Sequence, residues 1–320
     1  MRILQSETPR ALDRLAIGPG GLIAAACGVF GTPGGVEVWD ATTGTRKSVS
    51  APSLWGFGSV WFLLDRPYLL AADHLGVSLL AVPKGDGELE AVARTGWGGA
   101  AIAAFGDRLF VGLADHSSAA LTCWSVPKLD LLWKGDYWDM PKLSLLWKED
   151  RWVPRARFGA APAVDPSGAL LAVPVLTGGT RPTQSVSIRN ADTGEQRTQI
   201  PLDAASPVQQ LAFTADGAKL VVRTDDRTVR LYDTVTGAAA GELVHPGRSF
   251  VTGIAVHPRG PIACARTNGT VTLWDANTRQ PARTLDWKTG RLVSVAFSPD
   301  GALGAAGTED GKLIVWDVDL

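Results

Sequence analysis

Apolar and polar residues alternate with a period of two over many short stretches of this chain, and one such stretch returns seven times. Its clearest form is VTLWDANT, residues 271–278, with near-copies VEVWDATTG from Val36, VRLYDTVTG from Val229 and LIVWDVD from Leu313. Looser forms are VSLLAVPKG from Val77, LTCWSVPKL from Leu121 and VSIRNADTG from Val186. Period-two alternation predicts a β-strand, and the Asp or Asn that usually follows predicts a turn. The fourth positions are Trp39, Leu80, Trp124, Arg189, Tyr232, Trp274 and Trp316, separated by 41, 44, 65, 43, 42 and 42 residues.

A second apolar unit precedes each of these. LVSVAFSPDGALGAAGTEDG from Leu292 is its fullest form, with VQQLAFTADG at 208–217, VTGIAVHPRG at 251–260 and a related run over 160–168. The looser versions are Leu12–Gly21, Val60–Tyr68 and Ala101–Leu109. The order is strand a, a Pro/Asp/Gly turn, strand b, a second turn, the VTLWD strand c, and an outer strand d from residues such as TGTRKSVS after Thr43. Small residues in strand b (LIAAAC from Leu22, LGAAG from Leu303) suit close packing between sheets. A period in the low forties with four strands per repeat predicts an all-β, seven-bladed propeller of antiparallel blades, one domain over 1–320. The seventh blade lacks a strand d after Leu313–Asp319, and RILQSE at Arg2–Glu7 lacks a blade. Pairing these two closes the ring and removes open edges.

The AFSPDG, DG and VWD elements, in that order and at that period, resemble the WD-repeat propeller family, most closely in blades 1 and 5 to 7. The resemblance implies a rigid platform for protein or peptide partners, with the d–a loops and b–c turns sharing the narrower face. The Gly-His pair common in that family is largely missing. Only His245 lies near such a place, while Asp226 and Asp310 keep the b–c turn half of its His–Asp pairing.

The 65-residue interval contains a duplication. PKLDLLWKGDYWDM (127–140) is followed by PKLSLLWKEDRWVP (141–154), identical at nine of fourteen positions. Most of the remaining excess is assigned to a long b–c turn, LTGGTRPTQ at 176–184. One copy suffices for strand d of blade 3. The other is expected to form an extra outer strand or a projecting hairpin, or to exchange with the first in a single slot, because register follows side-chain pattern.

Composition narrows the function. The net charge of −1 gives no steering toward nucleic acid or an anionic membrane, and no apolar run is long enough to span a bilayer. No leader is expected from MRILQSETPRALD, which lacks a long apolar run, and Cys27, Cys123 and Cys264 are odd in number within apolar runs. Reduced thiols in a cytoplasmic protein are expected. The Asn268-Gly269-Thr270 sequon then reads as a hairpin turn. No HExxH, GxSxG, phosphate loop or CxxC occurs, so no catalytic step and no cofactor are expected. One alternative is a repeated Ala-Asp-His: Asp73, His74, Asp115 and His116 fall in neighbouring b–c turns and have the composition of a metal or general-base site in a propeller hydrolase.

Binding is better supported. Loops entering strand a carry Trp55 and Phe57, Trp97, Arg157 and Phe158, Arg248 and Phe250, and Trp287 with Arg291. Trp and Arg are over-represented at interface hot spots, so these residues are the expected contacts of a protein or peptide partner. Tyr137, Trp138 and Trp152 in the duplication form a second aromatic group. Its lysines Lys134, Lys142 and Lys148 are offset by Asp130, Asp136, Asp139, Glu149 and Asp150, which argues against nucleic acid. The expected molecule is a monomeric, non-catalytic scaffold.

Overall fold

A computed structural model describes residues 1–6, 10–27, 35–49, 59–63, 67–73, 76–83, 87–94, 100–114, 119–137, 160–177, 183–202, 207–224, 228–245 and 247–319. Their strands form seven four-stranded antiparallel sheets, and no α-helix occurs among them. Blade 1 is β2 (Leu12–Ile17), β3 (Leu22–Cys27), β4 (Gly35–Asp40) and β5 (Arg46–Val49). Blade 2 is β6 (Ser59–Phe62), β7 (Tyr68–Asp73), β8 (Gly76–Ala81) and β9 (Glu90–Arg94). Blade 3 is β10 (Ala100–Phe105), β11 (Arg108–Ala114), β12 (Ala119–Ser125) and β13 (Leu131–Tyr137). Blade 4 is β14 (Ala163–Val164), β15 (Leu170–Thr177), β16 (Thr183–Asn190) and β17 (Gln196–Leu202). Blade 5 is β18 (Val208–Phe213), β19 (Lys219–Thr224), β20 (Thr228–Asp233) and β21 (Ala239–Val244). Blade 6 is β22 (Val251–Val256), β23 (Ile262–Arg266), β24 (Thr270–Trp274) and β25 (Pro281–Asp286). Blade 7 is β26 (Leu292–Phe297), β27 (Leu303–Thr308), β28 (Lys312–Asp317) and, as its outer strand, β1 (Arg2–Gln5).

Each c strand falls where the alternating motif places it. The ring is closed as expected: β1 runs antiparallel to β28 with Arg2 opposite Val315 and Gln5 opposite Lys312. Around the axis each a strand touches the next, and β26 of blade 7 touches β2 of blade 1. The core is a set of seven apolar layers, one in each gap between blades. Blades 1 and 2 share Ala24, Val36, Val38, Val60, Phe62 and Leu69, and blades 7 and 1 share Leu12, Ala25, Trp39, Ala305 and Leu313. Each fully buried Leu, Val or Phe in such a layer contributes about 1.5–3 kcal/mol relative to exposure.

The fourth position of the motif faces these layers. Trp39, Leu80, Tyr232, Trp274 and Trp316 are all buried there. Arg189 occupies the same place in blade 4, buried, with Nη1 donating to the Gly194 carbonyl at 2.8 Å. The Asp or Asn that follows caps the c–d turn. Asp40, Asn190, Asp233 and Asp275 each accept two backbone N–H bonds through Oδ1, at 2.6–3.1 Å.

Blade 4 departs from the sequence pattern at two places. Its strand a is only Ala163–Val164, because Pro162 and Pro166 on either side carry no N–H for a ladder. The long b–c turn is shorter than 176–184: Leu176 pairs with Gln184 and Thr177 with Thr183, so part of the excess length lies in two eight-residue strands.

Candidate binding face

In every blade, strand a starts, b ends, c starts and d ends at the same side, so the d–a loops and b–c turns share one face. Blades 6 and 7 show how they are joined. The Phe250 N–H donates to Thr267 Oγ1 at 3.1 Å, and the Thr267 N–H donates back to the Phe250 carbonyl at 3.0 Å. In blade 7 the Glu309 N–H donates to the Arg291 carbonyl at 3.0 Å. The 268–270 sequon lies in the b–c turn of blade 6, where the Gly269 N–H meets the Arg266 carbonyl at 3.1 Å. These bonds tie each strand-entering loop to the turn beside it.

On this frame Arg248 is exposed and Phe250 keeps 45% of its surface in solvent. Arg291 is exposed and faces Glu309 at 3.5 Å. Trp287 is half-buried, its ring tilted on Trp316 with centroids 4.9 Å apart, so it both packs the blade 6–7 layer and shows an edge. Trp55, Phe57, Trp97, Arg157 and Phe158 lie outside the described residues. Trp138 and Trp152 do as well.

Beneath the face sit two arginines that the sequence reading passed over. Arg223 and Arg266 close β19 and β23 and are buried, Arg223 Nη1 donating to the Val251 carbonyl at 3.2 Å. Burial lowers the pKa of Arg266. The signal available was an Arg inside an apolar run, in KLVVRT and IACART. His245 is also buried, edge-on to Trp274 at 4.8 Å, and neither ring nitrogen has a hydrogen-bond partner among the described residues. Burial and the neighbouring Arg266 push its pKa down to about 4. Asp310 engages Thr308 Oγ1 at 2.5 Å and Lys312 Nζ at 2.6 Å, and Asp226 lies outside the described residues.

Asp73 ends β7 opposite Gly76, while His74, Asp115 and His116 lie outside the described residues. Among the described residues no group of three or more His, Cys, Asp or Glu is placed to hold a metal ion. Cys27, Cys123 and Cys264 are buried free thiols, pushed up by burial to about 12, 11 and 12. A thiol so far from ionisation is not a nucleophile at neutral pH. Among the described residues no helix is long and apolar enough to cross a membrane.

Comparison with known proteins fits this architecture. The WD domain, G-beta repeat family matches residues 241–275 and 279–317, in blades 5 to 7. The chain is similar to the Protein LST8 homolog of Drosophila melanogaster, 28% identical over 35% of this chain and 36% of that protein. It is similar to the Target of rapamycin complex subunit wat1 of Schizosaccharomyces pombe, 30% identical over 29% of this chain and 30% of that one. It also resembles the human Ribosome biogenesis protein BOP1, 32% identical over 38% of this chain and 16% of that protein. The chain thus spans about a third of the length of the first two relatives. Seven blades in a ring, with these repeats, define its class. It is a seven-bladed β-propeller that carries WD repeats in blades 5 to 7.

Proposed function

We propose that this propeller is a non-catalytic scaffold that holds a protein or peptide partner on the face formed by its d–a loops and b–c turns. The observation that carries the reading is the tethered presentation of Arg248, Phe250 and Arg291. Their loops are bonded to the neighbouring turns at Thr267 and Glu309, so little conformational freedom is lost on binding. A half-exposed Phe beside exposed Arg has the make-up of an interface anchor. The names of the relatives, a complex subunit among them, support a protein partner over a small substrate. Three buried thiols support a reducing, cytoplasmic setting, and we place the protein there as a monomer without nucleic-acid or membrane partners.

The test is comparative affinity capture with the intact chain. Arg248→Ala/Phe250→Ala and Arg291→Ala should lose partners that wild type retains. Val235→Ala, at the exposed tip of a c–d turn on the opposite face, should retain them. Identical partner sets for all four proteins would remove this face from consideration.

A further inference from the structure

We propose that the outer slot of blade 3 accepts either copy of the duplicated PKLxLLWK segment, so that residues 141–151 can replace 127–137 as strand d. In the structure the first copy fills the slot: β13 pairs with β12 from Trp124 opposite Leu131 to Ala119 opposite Tyr137. The slot grips it at few places. The Leu129 N–H donates to the Ser125 carbonyl at 2.8 Å, and its side chain joins the layer between blades 2 and 3. The Trp133 indole donates to the Ala191 carbonyl at 3.3 Å and lies 6.2 Å from Phe110. It also covers Gly194, where even a Cβ would come within 2.9 Å of the ring.

The second copy carries the same residue at each of these grips, Leu143 for Leu129 and Trp147 for Trp133. Leu145, Leu146 and Lys148 repeat Leu131, Leu132 and Lys134. The first difference, Ser144 for Asp130, falls at an exposed position that is bonded to Ser125 through its backbone N–H and carbonyl. Glu149 for Gly135 and Arg151 for Tyr137 differ at the far end of the strand, opposite Leu121 and Ala119. Strand pairing is set by such a pattern, and the two agree at eight of eleven positions, the gripping Leu and Trp included.

The chain closes in either arrangement. With the first copy in place, the c–d turn is 126–130, as short as 191–195 in blade 4, and the d–a link is the long 138–162. With the second copy in place, the d–a link becomes 152–162, and the same fourteen residues pass to the c–d side. Closure cost grows only with the logarithm of loop length, so moving the excess from one loop to the other costs little.

Paired deletions and point variants test this on the full chain. Removal of 127–140 and removal of 141–154 should each yield a folded propeller with the same Tm. Trp133→Ala and Trp147→Ala should each unfold within about 2 °C of wild type, and the double variant roughly 5–10 °C lower. In Trp133→Ala, hydrogen exchange should show protection leaving 128–136 and appearing in 142–150, with the protein still monomeric. Four results would overturn the proposal. They are loss of folding on removing 127–140 alone, Trp133→Ala as unstable as the double variant, protection of both copies at once in wild type, and a dimeric Trp133→Ala.

Discussion

At the scale of single residues, two side chains show how strongly local chemistry constrains this ring. His245 has both ring nitrogens buried with no hydrogen-bond partner among the described residues, which favours the neutral imidazole. Its folded pKa is lowered from 6.5 to about 4. An unfolded chain binds the proton more readily, so the stabilising term is complete above 6.5 and is lost as pH falls toward 4. His245→Phe should flatten that limb of the stability curve, by on the order of 2 kcal/mol between pH 7 and 4 in urea unfolding. An unchanged pH dependence would show that the ring is hydrated. Gly237 closes the c–d turn of blade 5 at φ +72°, and a Cβ there would lie 3.1 Å from the Gln199 carbonyl. Gly237→Ala should lower stability by about 1–2 kcal/mol, since both the left-handed backbone and the crowding oppose it. Thermal unfolding checks it.

At the scale of elements, the strands differ in how well they are held. β14 pairs with β15 through only two residues, whereas β18, β22 and β26 pair over six-residue strands. Local opening follows the number of ladder bonds and buried contacts, so the amides of 163–164 should exchange well before those of 208–213 or 292–297. Simultaneous exchange of all three would mean that the ring opens as one unit. Which strands were legible in the sequence follows the same logic. Strand c was readable in all seven blades because its alternation and fourth position recur, that residue being buried in six blades and followed by an Asp or Asn cap in blades 1, 4, 5 and 6. β14 was placed, within 160–168, but its brevity was not, because the run reads as apolar and Pro162 and Pro166 cut the pairing to two residues. The extension of β15 and β16 past Leu176 was hidden by Gly and Pro in 178–182, which signal a turn without fixing where pairing stops. The loops were legible only as to their position. Trp287 carries the same loop signal whether it projects or lies on Trp316, and that choice is made by the neighbouring blade. The c–d cap was visible as Asp followed by Thr, but its reach across blades was not. Lys219 donates to the Ala276 carbonyl at 3.3 Å and Arg279 to the Ala240 carbonyl at 3.0 Å, contacts between residues of different repeats.

At the scale of the molecule, a ring of sheets depends on the strand that closes it, and here that closure is made by the first six residues. β1 supplies the fourth strand of blade 7, and Leu4 enters the layer between blades 7 and 1. Arg2 Nη1 donates to the Ala41 carbonyl at 2.9 Å and Ser6 Oγ to Glu37 Oε1 at 2.8 Å, so the same segment also clamps blade 1. Four ladder positions and a half-buried leucine together contribute roughly 3–5 kcal/mol. Removing residues 1–6 should therefore lower Tm and leave the edge of β28 open to pairing with other chains, seen as concentration-dependent aggregation. A synthetic MRILQS peptide should restore Tm in proportion to its concentration, because it binds the folded ring and not the unfolded chain. Saturable rescue would locate the loss at the β28 edge. A truncated chain with wild-type Tm would mean that six blades and a three-stranded seventh already hold the ring together, and that β1 serves only to cover an edge.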